Sequence, residues 1–264
     1  MAQIHPTSIV DPRAELADSV YVGPFCTIGP EVKIGDGCWL QSHIVVTGKT
    51  TIGSNNKFYA FAAVGIEPQD KKYKGEDTRL VIGDNNVIRE HCTLSVGTVQ
   101  DKGLTAVGST NLLMANVHIA HDCRVGNNTI IANNVGLAGH VVVCDDAIIG
   151  GQSGIHQFVR IGRGAMLSGG SMMRQDVLPF CNYQGYPGAP FGVNIEGMKR
   201  HGYSRDAIHT AREVYKLIFR SNLNVSEASE AIKTLCAEIT DPQSVMVADT
   251  MREFMETSPR GLAR

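Results

Sequence analysis

Between Asn116 and Cys123 the chain reads Asn-Val-His-Ile-Ala-His-Asp-Cys, which sets His118, His121 and Asp122 close together. An imidazole titrates near neutral pH, so either histidine could take a proton from a hydroxyl while Asp122 holds or polarises it. The same groups could instead supply part of a zinc site. Further along, Gly139-His140 and His156-Gln157 repeat the combination of a histidine with a small or polar neighbour, and Gly139 and Gln157 are evenly spaced after His121. Even spacing carries meaning only if the chain returns to the same place at that interval, so the scaffold decides what the histidines can do.

The scaffold is legible as a repeat. In steps of six from Ile4 the chain places Val10, Leu16, Val22, Ile28, Ile34, Leu40, Val46, Ile52, Phe58 and Val64. The register resumes at Ile82, Ile88 and Leu94, and again from Val107 to Met173. An amphipathic helix repeats its apolar face every ~3.6 residues, so a period of six is not helical. Four places after each apolar residue stands a small or modest one, such as Ala14, Val20 or Cys26, and glycine often follows the apolar residue, as in Val22-Gly23. This is the hexapeptide signature of a parallel β-helix. Each hexad gives one short strand and one corner, and stacked coils satisfy each other's backbone groups at about 4.8 Å. Cys26, Cys38, Cys92 and Cys123 fall on the small inward position and read as core filler.

The pattern resembles that of the left-handed hexapeptide acyltransferases, in which three hexads close one triangular coil. That resemblance implies an all-β, left-handed parallel β-helix (a hexapeptide-repeat solenoid) of eight to nine coils over residues 1–190. Polar insertions interrupt it at about 65–79 and 97–105, and loops leaving a rigid scaffold commonly carry function. Residues 191–264 form a C-terminal α-helical domain. Ser204 caps a helix with Ile208, Ala211, Tyr215, Ile218 and Phe219 on one stripe, a second helix follows Ser226, and Asp241-Pro242 opens a third that ends near Ser258-Pro259.

Composition narrows the classes. The 264 residues are 43% hydrophobic but only 6% aromatic, with 28 glycines, which suits a fold of many tight corners. No apolar run is long enough to span a membrane, and the N-terminus has no secretory pattern. Seven cysteines without a Cys-x-x-Cys suggest a reduced, cytoplasmic protein rather than a disulfide framework. Around Lys199, Arg200, Arg205, Arg212, Lys216 and Arg220 the chain is locally basic, although its net charge is −2. An acidic partner or a solvated helix face accounts for that, whereas nucleic acid does not, because the excess is small and lacks interleaved aromatics.

On a coil of three hexads His121 points outward, Gly139 lies one coil above it with His140 alongside, and Gln157 lies two coils above with His156 alongside. His118 falls at the preceding corner. The four histidines then gather on one edge within about 10 Å of height. Two chemistries remain open on these residues. His118, His121 and His140 could hold zinc across a subunit interface, as in the hexapeptide-fold carbonic anhydrases. Alternatively His121 is a general base, Asp122 its support, and the Gly139 N–H faces a developing oxyanion. A non-catalytic β-helix scaffold is the third reading.

Longer motifs narrow the choice. His118-Ile-Ala-His-Asp-Cys123, Leu137-Ala-Gly-His140, Ile155-His-Gln-Phe158 and Pro190-Phe-Gly-Val-Asn-Ile-Glu-Gly197 closely resemble those of the UDP-N-acetylglucosamine O-acyltransferase family, the first enzymes of lipid A assembly in Gram-negative bacteria. The resemblance extends over the whole chain. It implies a homotrimer with sites between adjacent β-helices, moving an (R)-3-hydroxyacyl group from acyl carrier protein to the 3-hydroxyl of UDP-N-acetylglucosamine. No cofactor is implied, since the acyl group arrives on the carrier's phosphopantetheine. His121, Asp122 and Gly139 would be the catalytic set. Gln69, Asp70, Lys72, His118, His140 and His156 match substrate-contacting positions, and Gln157, Asn194, Glu196 and Arg200 match nucleotide-binding ones. Lys199, Arg200 and Arg205 would meet the acidic carrier protein, and Gly169 would close the acyl groove and admit a longer chain. The sequence departs from the family pattern at Tyr186-Pro187-Gly188, where Asn-His-Ala is usual, at Ser95 in place of a histidine, and at His201 in place of an arginine. The sister N-acyltransferase carries a further N-terminal domain, for which hexads starting at Ile4 are expected to leave no room.

Overall fold

The computed structural model describes all 264 residues. Short strands recur every sixth position because each hexad has one side chain that must be inward and one that can be, and the chain turns between them. The result is a left-handed parallel β-helix with three faces. Face A runs from Gln3–Ile4 to Met166–Leu167, face B from Ile9–Val10 to Met172–Met173, and face C from Glu15–Leu16 to Arg160–Ile161. Every coil pairs in parallel with the next, as in His118↔Gly136 and Gly136↔Gly154, which fixes the three-hexad period expected from the sequence. Most corners need one residue in the left-handed region, and Asn, Asp or His commonly takes it, for example Asp122 (φ 60°) and His140 (φ 63°).

Inside the prism Leu40, Leu94, Ile119, Leu137 and Ile149 are fully buried, as are Cys92 and Cys123. Burial pushes the Cys92 thiol up to about 11 and that of Cys123 to about 12, so these sulfurs act as apolar filler. One corner column is polar inside. The Asn56 carboxamide oxygen accepts from Asn86, the Asn86 oxygen from the Asn111 N–H, and the Asn111 oxygen from both Thr129 N–H and O–H at 2.7 and 2.8 Å. This ladder follows the C–A edge. A slip of one residue would strand every amide in it, so it fixes register as well as stability.

After Met172–Met173 the repeat stops. Cys181–Gln184 continues face A and pairs antiparallel with Ala189–Val193, a hairpin that the proline- and glycine-rich sequence had concealed. Four helices follow: α1 (Ile195–Arg200), α2 (Arg205–Phe219), α3 (Val225–Glu238) and α4 (Pro242–Glu256). Ser204 caps α2 and Asp241 caps α4, as the sequence suggests, but α3 is capped by Asn224 in a box with Glu227 rather than starting after Ser226. The six-residue α1 is too short to show a period. The tail returns to the β-helix at buried Asp176, whose carboxylate accepts the Arg160 N–H and the Ser258 hydroxyl, each at 2.8 Å. No helix is long and apolar enough to cross a membrane.

Replacing Asn111 by alanine would leave the Gly126 carbonyl and the Thr129 donors without partners inside the prism. Unmatched buried groups cost about 1–3 kcal/mol each, so with three of them Asn111→Ala is expected to lower unfolding free energy by roughly 3 kcal/mol or more. Urea unfolding should show a lower midpoint at an unchanged slope.

Candidate active site

Both insertions leave the prism at the same edge. The first connects Ala63–Ile66 on face B to Arg79–Ile82 on face C, and the second connects Thr93–Ser95 to Leu104–Val107 across the same corner one coil on. The next B–C corner holds His121 and Asp122. The two after it hold Gly139-His140 and Gln157-Phe158. The loops therefore sit directly beneath the histidine column.

Asp122 is buried with its side chain fully covered, while His121 keeps 16% of its side chain exposed. His121 Nδ1 lies 2.8 Å from Asp122 Oδ2, a contact that favours the tautomer with its proton on Nδ1 and an Nε2 lone pair able to accept a proton. The second insertion grips the same aspartate. Thr98 donates its N–H to Oδ1 at 2.9 Å and its hydroxyl to Oδ2 at 2.6 Å, and the Asp122 N–H donates to Thr105 Oγ1 at 2.8 Å. A Cβ on Gly139 would stand 2.6 Å from His121 Cε1 and 2.8 Å from Nε2, so the imidazole occupies the place a side chain would take. Along the C–A edge, the N–H groups of Ser54, Asp84, Ser109 and Asn127 are capped by a side chain from the next coil. The Gly139 N–H has no such cap and makes no hydrogen bond within the chain.

His140 crosses the His121 ring edge-on with centroids 5.2 Å apart and stacks on Phe158 at 4.4 Å. Its Nδ1 lies 3.6 Å from Asp101, which also pairs with Arg124 at 3.2 Å. His118 does not sit at a corner, contrary to the spacing argument. It lies in the face-B strand His118–Ile119, with Nδ1 bonded to Thr93 Oγ1 at 2.7 Å. Within one chain His121, Asp122 and His140 bring candidate metal-binding atoms within 4.8 Å of one another, and His118 is outside that group. Burial, and then the nearby charge of His121, hold the His118 imidazole below its ordinary value.

Two cavities meet at Gln69 and His121. One, of about 570 Å³, spreads over face B, where Gly136 and Gly154 leave bare backbone between Leu137, Ile155, Met172 and Met173, with His118 and His156 at its rim. The other, of about 920 Å³, is polar and collects Asp70 and Lys72 from the first insertion with Asp101, Arg124, His140 and Gln157. The remaining candidates lie elsewhere on the chain. Gly169 is an exposed residue of the A–B edge, between Met166–Leu167 and Met172–Met173. Asn194 caps α1 and donates to the Gly164 carbonyl at 3.0 Å, which sets Glu196, Lys199, Arg200 and Arg205 near the C–A edge. Of the three departures, Ser95 is buried with an unpartnered hydroxyl, Tyr186 is exposed and accepts from Arg174, and His201 lies 3.6 Å from Asp146. Thr98, Thr105, Asp101 and Arg124 escaped the sequence reading. The available clue was that both register breaks fall between a face-B and a face-C hexad, just before His121.

Residues 176–263 match the family described as UDP N-acetylglucosamine O-acyltransferase, domain 2, and residues 105–139 match the bacterial transferase hexapeptide repeat. Among solved structures, the chain is similar to LpxA from Acinetobacter baumannii, at 52% identity over 99% of each chain and a TM-score of 0.94. It is similar to UDP-N-acetylglucosamine O-acyltransferase from Moraxella catarrhalis at 46% identity over 99% of each chain, with a TM-score of 0.93. The Arabidopsis UDP-N-acetylglucosamine acyltransferase shares 35% identity over 99% of this chain and 100% of that one, with a TM-score of 0.84.

Gly139→Ala should push the His121 ring off its seat. A displacement of about 1 Å can cost ~100-fold in rate, so turnover is expected to fall by about that factor with little change in melting temperature. His118 gives a pH signature. Its folded pKa lies below the unfolded value of 6.5, so its contribution to stability is full above 6.5 and is lost as the pH falls through the lower folded value. His118→Asn is expected to flatten that acid-side loss in thermal melts taken between about pH 7 and pH 5.

Proposed function

Because this chain belongs to the UDP-N-acetylglucosamine O-acyltransferase family, we propose that it carries an (R)-3-hydroxyacyl group from acyl carrier protein to the 3-hydroxyl of UDP-N-acetylglucosamine, the first step of lipid A assembly. The observation that carries the mechanism is the His121–Asp122 contact at 2.8 Å beside the uncapped Gly139 N–H. His121 Nε2 takes the proton of the sugar hydroxyl as its oxygen attacks the thioester carbonyl. The Gly139 N–H bonds the oxyanion of the tetrahedral intermediate. Collapse breaks the carbon–sulfur bond, and the proton passes from His121 to the departing phosphopantetheine thiolate. Asp122 holds the imidazole in the productive tautomer and offsets its positive charge while it carries the proton. No cofactor is needed in this scheme, because the thioester supplies the activated acyl group.

The apolar cavity on face B suits the acyl chain. A hexad spans at most about 20 Å, so a chain that starts at His121 and crosses Gly136 and Gly154 reaches the A–B edge, where Gly169 offers no side chain to stop it. The polar cavity, with Asp70, Lys72, His140 and Gln157, suits the sugar. Asn194, Glu196 and Arg200 belong to a different edge from His121, and a neighbouring copy laid alongside would bring a nucleotide-binding set to the catalytic edge. That separation supports a homotrimer. Exposed Lys199, Arg200 and Arg205 supply positive charge for an acidic carrier protein, and the reaction belongs in the cytoplasm, where acyl carrier protein is found.

A thioester-transfer assay with UDP-N-acetylglucosamine and carrier proteins bearing different hydroxyacyl chains tests this reading. His121→Ala is expected to lower turnover by about 10²–10⁴. The wild type should prefer chains longer than ten carbons and Gly169→Met should shorten that preference; a ten-carbon optimum in the wild type would overturn the assignment of Gly169.

A further inference from the structure

Asp122 is a buried carboxylate with no cationic side chain of lysine or arginine in contact; only His121 and His140 approach it as potential charges, at 2.8 and 3.8 Å. A buried carboxylate without such a partner must be held by hydrogen bonds. Both protein donors to it other than histidine belong to one residue of the second insertion. The Thr98 N–H meets Oδ1 and the Thr98 hydroxyl meets Oδ2, the same oxygen that faces His121 Nδ1. Thr98 is itself buried, and its carbonyl is tied within the loop by the Gly103 N–H at 3.0 Å, so the donors are fixed in direction.

We propose that Thr98 is a positioning residue for proton transfer at His121: it clamps both carboxylate oxygens of Asp122 so that Oδ2 presents one lone pair to Nδ1 and cannot rotate away. The proposal rests on the reading of His121 as the base. It also assigns a purpose to the second insertion, which otherwise replaces a simple corner with a longer loop. A carboxylate oxygen can accept two bonds, and Oδ2 accepts two here. Removing the hydroxyl frees the carboxylate to turn about its Cβ–Cγ bond and leaves Oδ2 a stronger acceptor for the imidazole. The ring is then aimed less well, and its protonated form is better stabilised. The other groups around the pair are His118 on face B, His140, Asp101 and Arg124 at the edge, and Asp70, Lys71 and Lys72 from the first insertion.

The test is the pH dependence of kcat/KM for acyl transfer in full-length protein carrying Thr98→Val, which keeps the shape and the backbone N–H, and Thr98→Ser, which keeps the hydroxyl. Thr98→Val is expected to lower kcat by about 10–100-fold with KM changed less than about threefold, and to move the acid limb of the profile to higher pH. Thr98→Ser should restore kcat to within about threefold and return the limb. An unchanged kcat in Thr98→Val overturns the proposal. So does a loss that serine does not rescue, or one that leaves the limb in place, since either reports only a loosened loop. If Thr98→Val does not fold, Thr98→Ala is read by the same three quantities. His121→Gln separates the two readings. If it retains full turnover, the base assignment fails; if it is inactive while Thr98→Val behaves as wild type, the role of Thr98 alone fails.

Discussion

The parallel hydrogen-bond ladder between coils governs everything else in this molecule. A strand as short as His118–Ile119 has too little of its own to be stable, so each coil depends on those above and below it, in a register that returns every three hexads. Side chains at a given place in the hexad are thereby stacked at a fixed spacing. Both insertions enter at corners and leave the paired face-C strands that follow them in register. The candidate site lies on a corner column, and the added loops emerge from that same column.

That constraint made much of the fold readable. Apolar residues from Ile4 to Met173 at steps of six require the prism, and Cys26, Cys38, Cys92 and Cys123 occupy the inward positions the repeat assigns to them. The helical caps at Ser204 and Asp241 are local chemistry and were visible for that reason. The hairpin of Cys181–Gln184 with Ala189–Val193 and the short α1 were not, because neither is long enough to establish a period and both are held by tertiary contacts, such as the bond of Asn194 to Gly164. The chain belongs to a family of acyltransferases that share this architecture from end to end, so its motifs and its period point to the same fold.

The site divides along a similar line. Vertical neighbours follow from stepping on by three hexads, which brings His121, Gly139 and His140 together as the structure does. Arithmetic fails for His118, because a residue three places before a corner lies on the flat of the face, where Thr93 on the coil below is its partner. It fails again for Thr98 and Thr105, since a loop that leaves the repeat has no register from which to compute where it returns. The loop residues that hold Asp122 were thus harder to see than the His121–Asp122 pair itself.

The seat of the His121 ring on Gly139 has a pharmacological side. An inhibitor that takes its hydrogen bond from the Gly139 N–H addresses main chain, which no substitution removes except proline. The residue bearing that N–H is in turn confined to glycine by the imidazole packed where a Cβ would be. Point mutation normally offers a target an escape by altering the side chain a drug touches. Here the contact and the position are both closed to that route, so resistance would have to come from elsewhere, from the walls of the cavities or from the amount of protein made.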